Sequence, residues 1–349
     1  MSDSVKIAVD LMGGENSPEK NLEGINLFVK KNTNKNDYYF YLYGDKNLIE
    51  NKLKQFKYLN ENNHKIFDTK IIVSDELSAM SAIKKGKGSS MWNSIQSQID
   101  SDADITLSAG NTGALLVMSK MILKTLDNVD KPALAGLWPN EKNTNVVLDL
   151  GANIDCSEKN LVDFSEMGAA LFKSLFPEDK PKVSLLNIGL EEVKGTELLK
   201  NTHAKLKQLD KLGDFEFKGY IEGNQIMKGE SNVIVTDGFT GNIALKTAEG
   251  TANFLTKTLK EILKENIFSR ISILFSYFSL NKFKKKLDPR KYNGAIFLGL
   301  TGPVVKSHGG TDGLGFYYSV ELCYKIAKSN LINKIKENLS HTKKLNEEN

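Results

Sequence analysis

Cysteine is scarce in this chain, which has only Cys156 and Cys323 in 349 residues and no Cys-x-x-Cys pair. Two distant cysteines cannot build the disulfide framework of a small secreted protein, and they offer no zinc-binding spacing. Histidine is also sparse, with four residues spread along the chain. The composition therefore favours a reducing, cytoplasmic setting, and we predict neither a metal nor a cofactor.

Long hydrophobic runs are also missing. No window approaches the roughly 20 apolar residues that span a bilayer, and the first nine residues lack the pattern of a signal peptide. The net charge is only +4, from 47 basic and 43 acidic residues. Because nucleic-acid-binding proteins usually concentrate more positive charge, we expect no nucleic-acid partner.

The common nucleotide-binding signatures do not occur either. Gly13-Gly14, after the first predicted strand, does not continue as G-x-G-x-x-G, and there is no G-x-x-x-x-G-K-[ST] sequence. These absences exclude the usual Rossmann and P-loop phosphate sites. Four aspartates in predicted turns could still gather around magnesium, although no spacing demands it: Asp10, Asp149, Asp155 and Asp237.

Short apolar runs alternate with longer helical patterns along most of the chain. This alternation predicts an α/β fold with three α/β/α layers, in which helices cover both faces of a largely parallel sheet. No linker-like composition divides the pattern, so we predict a single domain over 1–335 and a polar, disordered tail over 336–349. The predicted strands are 6–10, 38–43, 70–73, 105–107, 133–137, 146–149, 182–186 and 232–236.

Two glycine-containing turns open predicted helices and could hold a ligand. SAGNTGALL, residues 108–116, and DGFTGNIAL, residues 237–245, each follow a strand. Glycine lets the backbone approach a ligand, and the unpaired amides of a helix N-terminus attract anions. Each turn alone is more simply a tight βα connection, but similar turns at 9–18 and 149–155 bring the number to four, and we expect these turns to converge at the carboxyl ends of the strands. The candidate residues are Gly110, Asn111, Thr112, Gly113, Thr240, Gly241 and Asn242, with Asn153 from a third turn.

Lys306 and His308 lie two residues apart in the Gly-rich stretch 299–312. On an extended segment their side chains point the same way. A cation beside an imidazole can bind an anion and stabilise a developing oxyanion. A surface lysine next to a structural histidine is the simpler alternative.

The segment 265–290 combines an apolar face with a basic end. A face rich in phenylalanine predicts a helix that lies on a membrane surface, and the lysines that follow could attract anionic lipid. A helix in a core or a dimer interface would carry a similar stripe. The predicted membrane-binding residues are Phe268, Ile271, Leu274, Phe275, Phe278, Lys284, Lys285 and Lys286.

Eight segments, taken together and in order, resemble the phosphate acyltransferase family of bacterial phospholipid synthesis. They are IAVDLMGGENSPE, KGKGSSM, SAGNTGALL, LDLGANIDC, NIGLEEVKGTEL, GYIEGNQIMKGE, VTDGFTGNIALKTAEG and GPVVKSHGGTDG. The resemblance covers about residues 6–328, and the combination is specific although each segment is weak alone. Glu15 departs from the family pattern, which usually has Asp at this position.

The resemblance implies an activity and a set of partners. Members of the family transfer a fatty acyl group from acyl-acyl carrier protein to inorganic phosphate, and the acyl-phosphate passes to a membrane glycerol-3-phosphate acyltransferase. They are homodimers whose fold is similar to phosphotransacetylases and to isocitrate/isopropylmalate dehydrogenases. A cytoplasmic protein peripherally associated with the membrane is therefore expected. Two alternatives stay open: a phosphotransacetylase-like enzyme that uses acyl-CoA, and a non-catalytic membrane-surface scaffold.

Phosphate itself is the nucleophile in such a reaction, so the protein must bind phosphate, orient the carbonyl and stabilise one oxyanion. We assign charge stabilisation to Lys306 and His308, with proton donation as an alternative role for His308. The positioning of these groups is assigned to Asp10 and Asp237. The expected ligands of phosphate or carbonyl are Asn111, Thr112, Thr240 and Asn242, with Lys246 as a weaker candidate.

Two further features of the sequence bear on this chemistry. Cys156 follows a candidate turn and could take the acyl group covalently, although a free cysteine is more often a small buried hydrophobe. Carrier proteins are acidic, so a basic docking patch is expected. Lys84, Lys85 and Lys87 form one candidate, and the basic residues of 282–291 form another.

Overall fold

The computed structural model describes residues 4–32, 34, 37–74, 79–265, 276, 278, 280–283 and 288–347. Within these residues, eleven strands form one sheet in the order β3-β2-β1-β4-β11-β10-β5-β6-β9-β7-β8. The strands are β1 Val5–Asp10, β2 Tyr38–Gly44, β3 His64–Asp68, β4 Ile105–Ser108, β5 Ala133–Pro139, β6 Thr144–Leu148, β7 Lys182–Leu186, β8 Glu216–Ile221, β9 Val233–Val235, β10 Ala295–Leu298 and β11 Val304–Lys306.

Helices cover both faces of the sheet, which confirms the predicted three-layer α/β/α fold with a largely parallel sheet. They are α1 Glu19–Lys31, α2 Lys46–Leu53, α3 Ala79–Gly86, α4 Ser90–Ile99, α5 Thr112–Leu123, α6 Glu158–Leu175, α7 Glu197–Leu209, α8 Gly238–Lys264, α9 Gly313–Lys328 and α10 Leu331–Glu347. Residues 276, 278 and 280–283 are also helical.

Alternate side chains of a strand pack on opposite faces of the sheet, as the period of a strand requires. In β11, for example, Val305 joins the core under α1, α6, α9 and α10. Its neighbour Val304 joins the core that α4, α5 and α8 cover. Lys306 is two residues after Val304, so its side chain leaves the sheet on the α5 and α8 face.

The sheet consists of two parallel halves that run in opposite directions. The strands β3, β2, β1, β4 and β11 are mutually parallel, and so are β6, β9, β7 and β8. Between the halves, β10 pairs antiparallel with β11 and β5, and β5 pairs antiparallel with β6. The carboxyl ends of β1, β4 and β11 therefore lie on one edge of the sheet, and those of β6 and β9 on the opposite edge.

One predicted strand is wrong. Residues 70–73 are not in the sheet, and β3 lies just before them at His64–Asp68. Ile71 and Ile72 are about half exposed, and the Ile71 carbonyl accepts a hydrogen bond from the Ser90 amide at the start of α4. The apolar run 70–73 thus forms a loop. The more polar strand before it, β3, is the one that pairs with β2 at the end of the sheet.

The predicted disordered tail is also wrong for most of its length, because α10 continues to Glu347. This helix packs against α6, where Leu331 and Ile335 are buried and Asn338 donates a hydrogen bond to the Glu166 carbonyl at 3.1 Å. Residues 348 and 349 lie outside the described part of the chain.

Most of the predicted membrane-binding residues cannot be placed. Phe268, Ile271, Leu274, Phe275 and Lys284 to Lys286 lie outside the described residues. Phe278 is helical and 85% exposed. Among the helices that the structure describes, each is too short or too polar to cross a bilayer.

Candidate active site

Asp10, at the end of β1, anchors the edge formed by β1, β4 and β11. The carboxylate is buried and accepts hydrogen bonds from Ser90 Oγ at 2.6 Å, Ser108 Oγ at 2.7 Å and the Met12 amide at 3.2 Å. Burial raises the pKa of Asp10, and these hydrogen bonds oppose the shift. Since both of its carboxylate oxygens accept hydrogen bonds from protein groups, Asp10 is suited to positioning the turns around it.

Glycines allow the turns of this edge to touch. A Cβ built on Gly13 would lie 2.5 Å from the Gly110 amide nitrogen and 2.7 Å from Asp10 Oδ2, so only glycine fits between them. Gly110 in turn donates to Ser108 Oγ at 3.1 Å. Asn111 caps α5 by accepting from the Ala114 amide at 2.9 Å, and exposed Thr112 is the first residue of the helix.

Lys306 and His308 join the same edge from β11. Lys306 Nζ donates to the Ala109 carbonyl at 3.4 Å and to the Ser307 carbonyl. The His308 amide donates to Asn293 Oδ1 at 2.9 Å, and His308 Nδ1 accepts from the Gly310 amide at 3.1 Å. Because Nδ1 accepts, the neutral imidazole carries its proton on Nε2 and presents an N–H donor.

Several charges surround the exposed imidazole of His308. Partial desolvation by the surrounding loops lowers its pKa, and the positive charges of Lys306, Lys246 and Lys20 lower it further, while Glu249 opposes them. Lys246 forms an ion pair with Glu249 at 2.8 Å on α8. At pH 7 His308 is therefore a neutral hydrogen-bond donor in a predominantly positive environment.

The remaining candidate residues form a second group, at the β6 and β9 edge. Buried Asp149 accepts hydrogen bonds from the amides of Leu134, Ala152 and Asn153 and from Asn153 Nδ2, at 2.8–3.0 Å. Burial raises its pKa, and these bonds oppose the shift. Asp149 thus holds the turn that carries Asn153.

Asp237 is the N-cap of α8 in this second group. Its carboxylate accepts from the Thr240 amide and the Thr240 hydroxyl, both at 2.8 Å. A Cβ built on Gly241 would lie 1.9 Å from the Asp149 carbonyl oxygen, and one built on Gly151 would lie 3.4 Å from Asn242. The α8 N-terminus and the Asp149 turn are therefore packed backbone to backbone.

The expectation that all these turns converge is wrong. Asp10, Gly110, Asn111, Lys306 and His308 belong to one edge, whereas Asn153, Asp237, Thr240, Gly241 and Asn242 belong to the opposite edge. The reason is the reversal of strand direction across β10 and β5. Thr112 and Gly113 begin α5 at the first edge.

Helices α5 and α8 connect the two groups across one face of the sheet. Leu116 of α5 and Ala244, Leu245 and Ala248 of α8 pack against the same core. α8 begins at the second edge, yet Lys246 and Glu249 influence His308 at the first. At about 1.5 Å per residue, Lys246 and Glu249 lie roughly 6–10 Å along the helix from Asn242.

An open, largely apolar pocket lies beside α5, with a volume of about 360 Å³. Asn153 of the second group lines it, together with residues from the middle and later part of α5. The lining residues are Leu116, Val117, Lys120, Met121, Pro132, Ala152 and Asn153.

Cys156 is poorly suited to nucleophilic chemistry. It is half-buried near Asn153 in the second group, where burial and the charges of Asp149 and Asp237 raise its pKa to about 11. The thiol therefore stays protonated at neutral pH, whereas a nucleophilic cysteine requires a lowered pKa.

Sequence reasoning missed two residues of the first group. Ser90 holds Asp10, and its only signal was its place in the KGKGSSM segment. Lys20 is 5% exposed and donates to the Gly309 carbonyl. A lysine in the first turn of a helix opposes the helix dipole, and this unfavourable position was the available signal.

The sequence is closely similar to known proteins over almost its whole length. The family model described as "Fatty acid synthesis protein" matches residues 5–334. A phosphate acyltransferase from Pelagibacter ubique is 57% identical over 339 residues, which cover 97% of this chain and 100% of the relative. A phosphate acyltransferase from Agrobacterium fabrum is 41% identical over 345 residues, covering 98% and 96%.

Two solved structures share the fold at low sequence identity. The EutD phosphotransacetylase from Staphylococcus aureus aligns with a TM-score of 0.60 at 14% identity, covering 94% of this chain and 95% of that one. A putative 4-hydroxythreonine-4-phosphate dehydrogenase from Salmonella typhimurium aligns with a TM-score of 0.53 at 10% identity, covering 93% and 100%. The predicted likeness to phosphotransacetylase and dehydrogenase folds is confirmed at the level of the fold.

The family model spans most of the chain, and both relatives align with it nearly from end to end. The resemblance predicted from the eight segments is therefore confirmed. This chain belongs to the phosphate acyltransferase family and is an acyltransferase of fatty acid and phospholipid synthesis.

Proposed function

We propose that the protein transfers a fatty acyl group from acyl-acyl carrier protein to inorganic phosphate. The observation that carries this proposal is the meeting of Lys306, His308 and the α5 N-terminus at one edge of the sheet. A helix N-terminus beside a lysine favours a phosphate anion. Cys156, with its raised pKa, offers no competing covalent route.

In the proposed reaction, a phosphate oxygen attacks the thioester carbonyl carbon directly. The new C–O bond forms, the C–S bond breaks, and the electron pair leaves with the sulfur as a thiolate. Lys306 lowers the energy of the negative charge, and the Nε2–H group of His308 donates to the carbonyl oxygen as it becomes an oxyanion. A neutral imidazole fulfils this role without transferring a proton.

The two groups of residues would then serve different parts of the substrates. We assign phosphate to Asn111, Thr112 and the amides that begin α5. Thr240, Asn242 and Asn153 at the opposite edge would contact the donor, whose phosphopantetheine arm is long enough to cross between the edges. The apolar pocket beside α5 would take the acyl chain.

The test is phosphate-dependent release of free thiol from long-chain acyl-acyl carrier protein, with hydroxylamine trapping of acyl-phosphate. Trapped product that rises with phosphate supports the proposal. Thiol release without phosphate would indicate a thioesterase, and no release would favour a non-catalytic scaffold. Acyl-CoA assayed in parallel separates the phosphotransacetylase-like alternative.

A carrier-protein docking surface is proposed at Lys84, Lys85 and Lys87. Lys84 and Lys85 are exposed on α3, which packs against α5 through Gly86 and Met118. Because other residues of α5 line the proposed acyl site, this packing supports docking of the carrier protein at the basic patch. Charge reversal at Lys84 and Lys85 should raise the KM for the carrier-protein donor and leave the KM for acyl-CoA unchanged.

Homodimer formation and membrane contact also belong to the proposed function. The later part of α8 exposes Phe254, Leu255 and Ile262, each more than half accessible, which supports a second copy of this chain as the covering surface. Exposed Phe278 and Phe283 support peripheral contact with anionic lipid. A membrane glycerol-3-phosphate acyltransferase would consume the acyl-phosphate. Sedimentation tests whether the chain forms a homodimer. Flotation with anionic vesicles tests its contact with the membrane.

A further inference from the structure

Lys20 is an unusual residue for its position. It is the second residue of α1 and only 5% exposed, although lysine is seldom fully buried and its charge opposes the dipole of the helix that carries it. Burying an ammonium group is costly unless its surroundings stabilise the charge. Buried ionisable groups of this kind are typical of functional sites.

The ammonium group of Lys20 lies where three turns meet. It donates to the carbonyl of Gly309, one residue after His308. A Cβ built on Gly14 would lie 2.8 Å from Lys20 Nζ and 3.0 Å from the carbonyl oxygens of both Ala109 and Gly309. Gly14 also has a φ of +83°, which other residues rarely adopt. The close approach therefore needs glycine both for its positive φ and for its lack of a Cβ.

Lys306 reaches the same group of carbonyls from the opposite side. Its ammonium donates to the Ala109 carbonyl, while that of Lys20 donates to the Gly309 carbonyl, and both carbonyls crowd Gly14. The two positive charges thus flank the junction from which α5 begins. Their influence on the pKa of His308 agrees with this arrangement.

We propose that Lys20 is a charged positioning residue of the phosphate site, which fixes the Gly309 loop beside His308 and adds positive potential to the anion site formed with Lys306. This inference rests on the proposed function, because inorganic phosphate is the anion concerned. Buried charge acts more strongly than surface charge, since the local dielectric constant is lower. Lys20 therefore tightens phosphate binding while leaving the chemical step to Lys306 and His308.

The test uses the full chain, with Lys20→Met, Lys20→Gln and Lys20→Arg, and inorganic phosphate as the probe. Lys20→Gln keeps an N–H donor and removes the charge, whereas Lys20→Arg keeps the charge. Exposed Lys30, on the same helix, provides the matched control Lys30→Met. Phosphate affinity is measured by calorimetric titration, and the KM for phosphate and kcat come from the thiol-release assay.

We expect Lys20→Met and Lys20→Gln each to weaken phosphate binding about tenfold and to change kcat at saturating phosphate by less than about threefold. Lys20→Arg should recover most of the affinity, and Lys30→Met should match the parent. Should Lys20→Met fail to fold, Lys20→Gln carries the same comparison.

Parental phosphate affinity in folded Lys20→Gln would overturn the charge role. A fall in kcat with unchanged phosphate affinity would overturn it as well. If the parent protein binds phosphate but never releases thiol, the proposed function is refuted. The anion site is still supported in that case, because phosphate binds. Absence of phosphate binding in the parent would overturn the assignment of Lys20.

Discussion

The Lys306 ammonium donates to the Ala109 carbonyl oxygen at 3.4 Å and so ties strand β11 to the turn that begins α5. The contact joins residues 197 positions apart in sequence. Lys306 also pairs with Ser108 in the sheet, which fixes the height of its side chain relative to the α5 N-terminus. The proposed phosphate site therefore depends on the pairing of β4 with β11, a strand near the end of the chain.

Replacement of this lysine tests its proposed charge-stabilising role. Lys306→Met removes the charge at nearly constant volume, and we expect kcat/KM to fall roughly 10²- to 10³-fold, as when an oxyanion contact is lost. Exposed Lys57→Met is the control and should stay within about twofold of the parent. Turnover of Lys306→Met at the parental rate would eliminate the role.

The pH dependence of kcat distinguishes two roles for His308. Its pKa is lowered from 6.5, so the imidazole is neutral above that pH in the folded protein. If neutral Nε2–H is the donor, kcat should stay level from about pH 7 to 8.5. If an imidazolium were the general acid, kcat would instead fall about tenfold per pH unit as pH rises through this range.

A pair of variants separates the donor role from proton transfer in another way. His308→Gln keeps an N–H donor, and we expect it to retain roughly tenfold more activity than His308→Ala. Equal activity of the two variants would contradict hydrogen-bond donation by His308. Their melting temperatures check that both fold.

Two glycines of α8 should respond oppositely to alanine. Gly241→Ala places a Cβ 1.9 Å from the Asp149 carbonyl oxygen, so we expect a destabilisation of at least about 2 kcal/mol and loss of activity. Apart from the adjoining residues of its own helix, no atom lies within 4 Å of a Cβ built on Gly250, and Gly250→Ala should stabilise the helix by about 0.5–1 kcal/mol. Chemical denaturation measures both, and a stable Gly241→Ala would show that the turn can move.

The pocket beside α5 can be filled to test acyl-chain binding. Leu116→Trp narrows it, and we expect the KM for long-chain donors to rise about tenfold while short-chain donors are little affected. Leu48→Trp on α2 adds the same bulk at a partly exposed position and serves as the control. An equal effect on all chain lengths would place the acyl chain elsewhere.

Most elements near the first edge of the sheet could be predicted because their signals are local. The sequence shows the apolar runs of β1 and β4 and the glycine turns that follow them. It also shows that Lys306 and His308 lie two residues apart in one segment. β11 has only three residues and β8 contains Lys218 and Gly219, so neither shows the apolar run of a buried strand.

By itself, the sequence determined the α/β class, the candidate turns and the family, because periodicity, glycine positions and segment order are properties of the chain. The tertiary structure alone decided which turns meet. The pairing of β10 with β5 joins distant segments, and together with the neighbouring β10–β11 and β5–β6 pairings it reverses strand direction between Lys306 and Asp149. Folding also decided what Lys20 contacts, because its hydrogen bond to Gly309 spans 289 residues and no local pattern encodes such a distance.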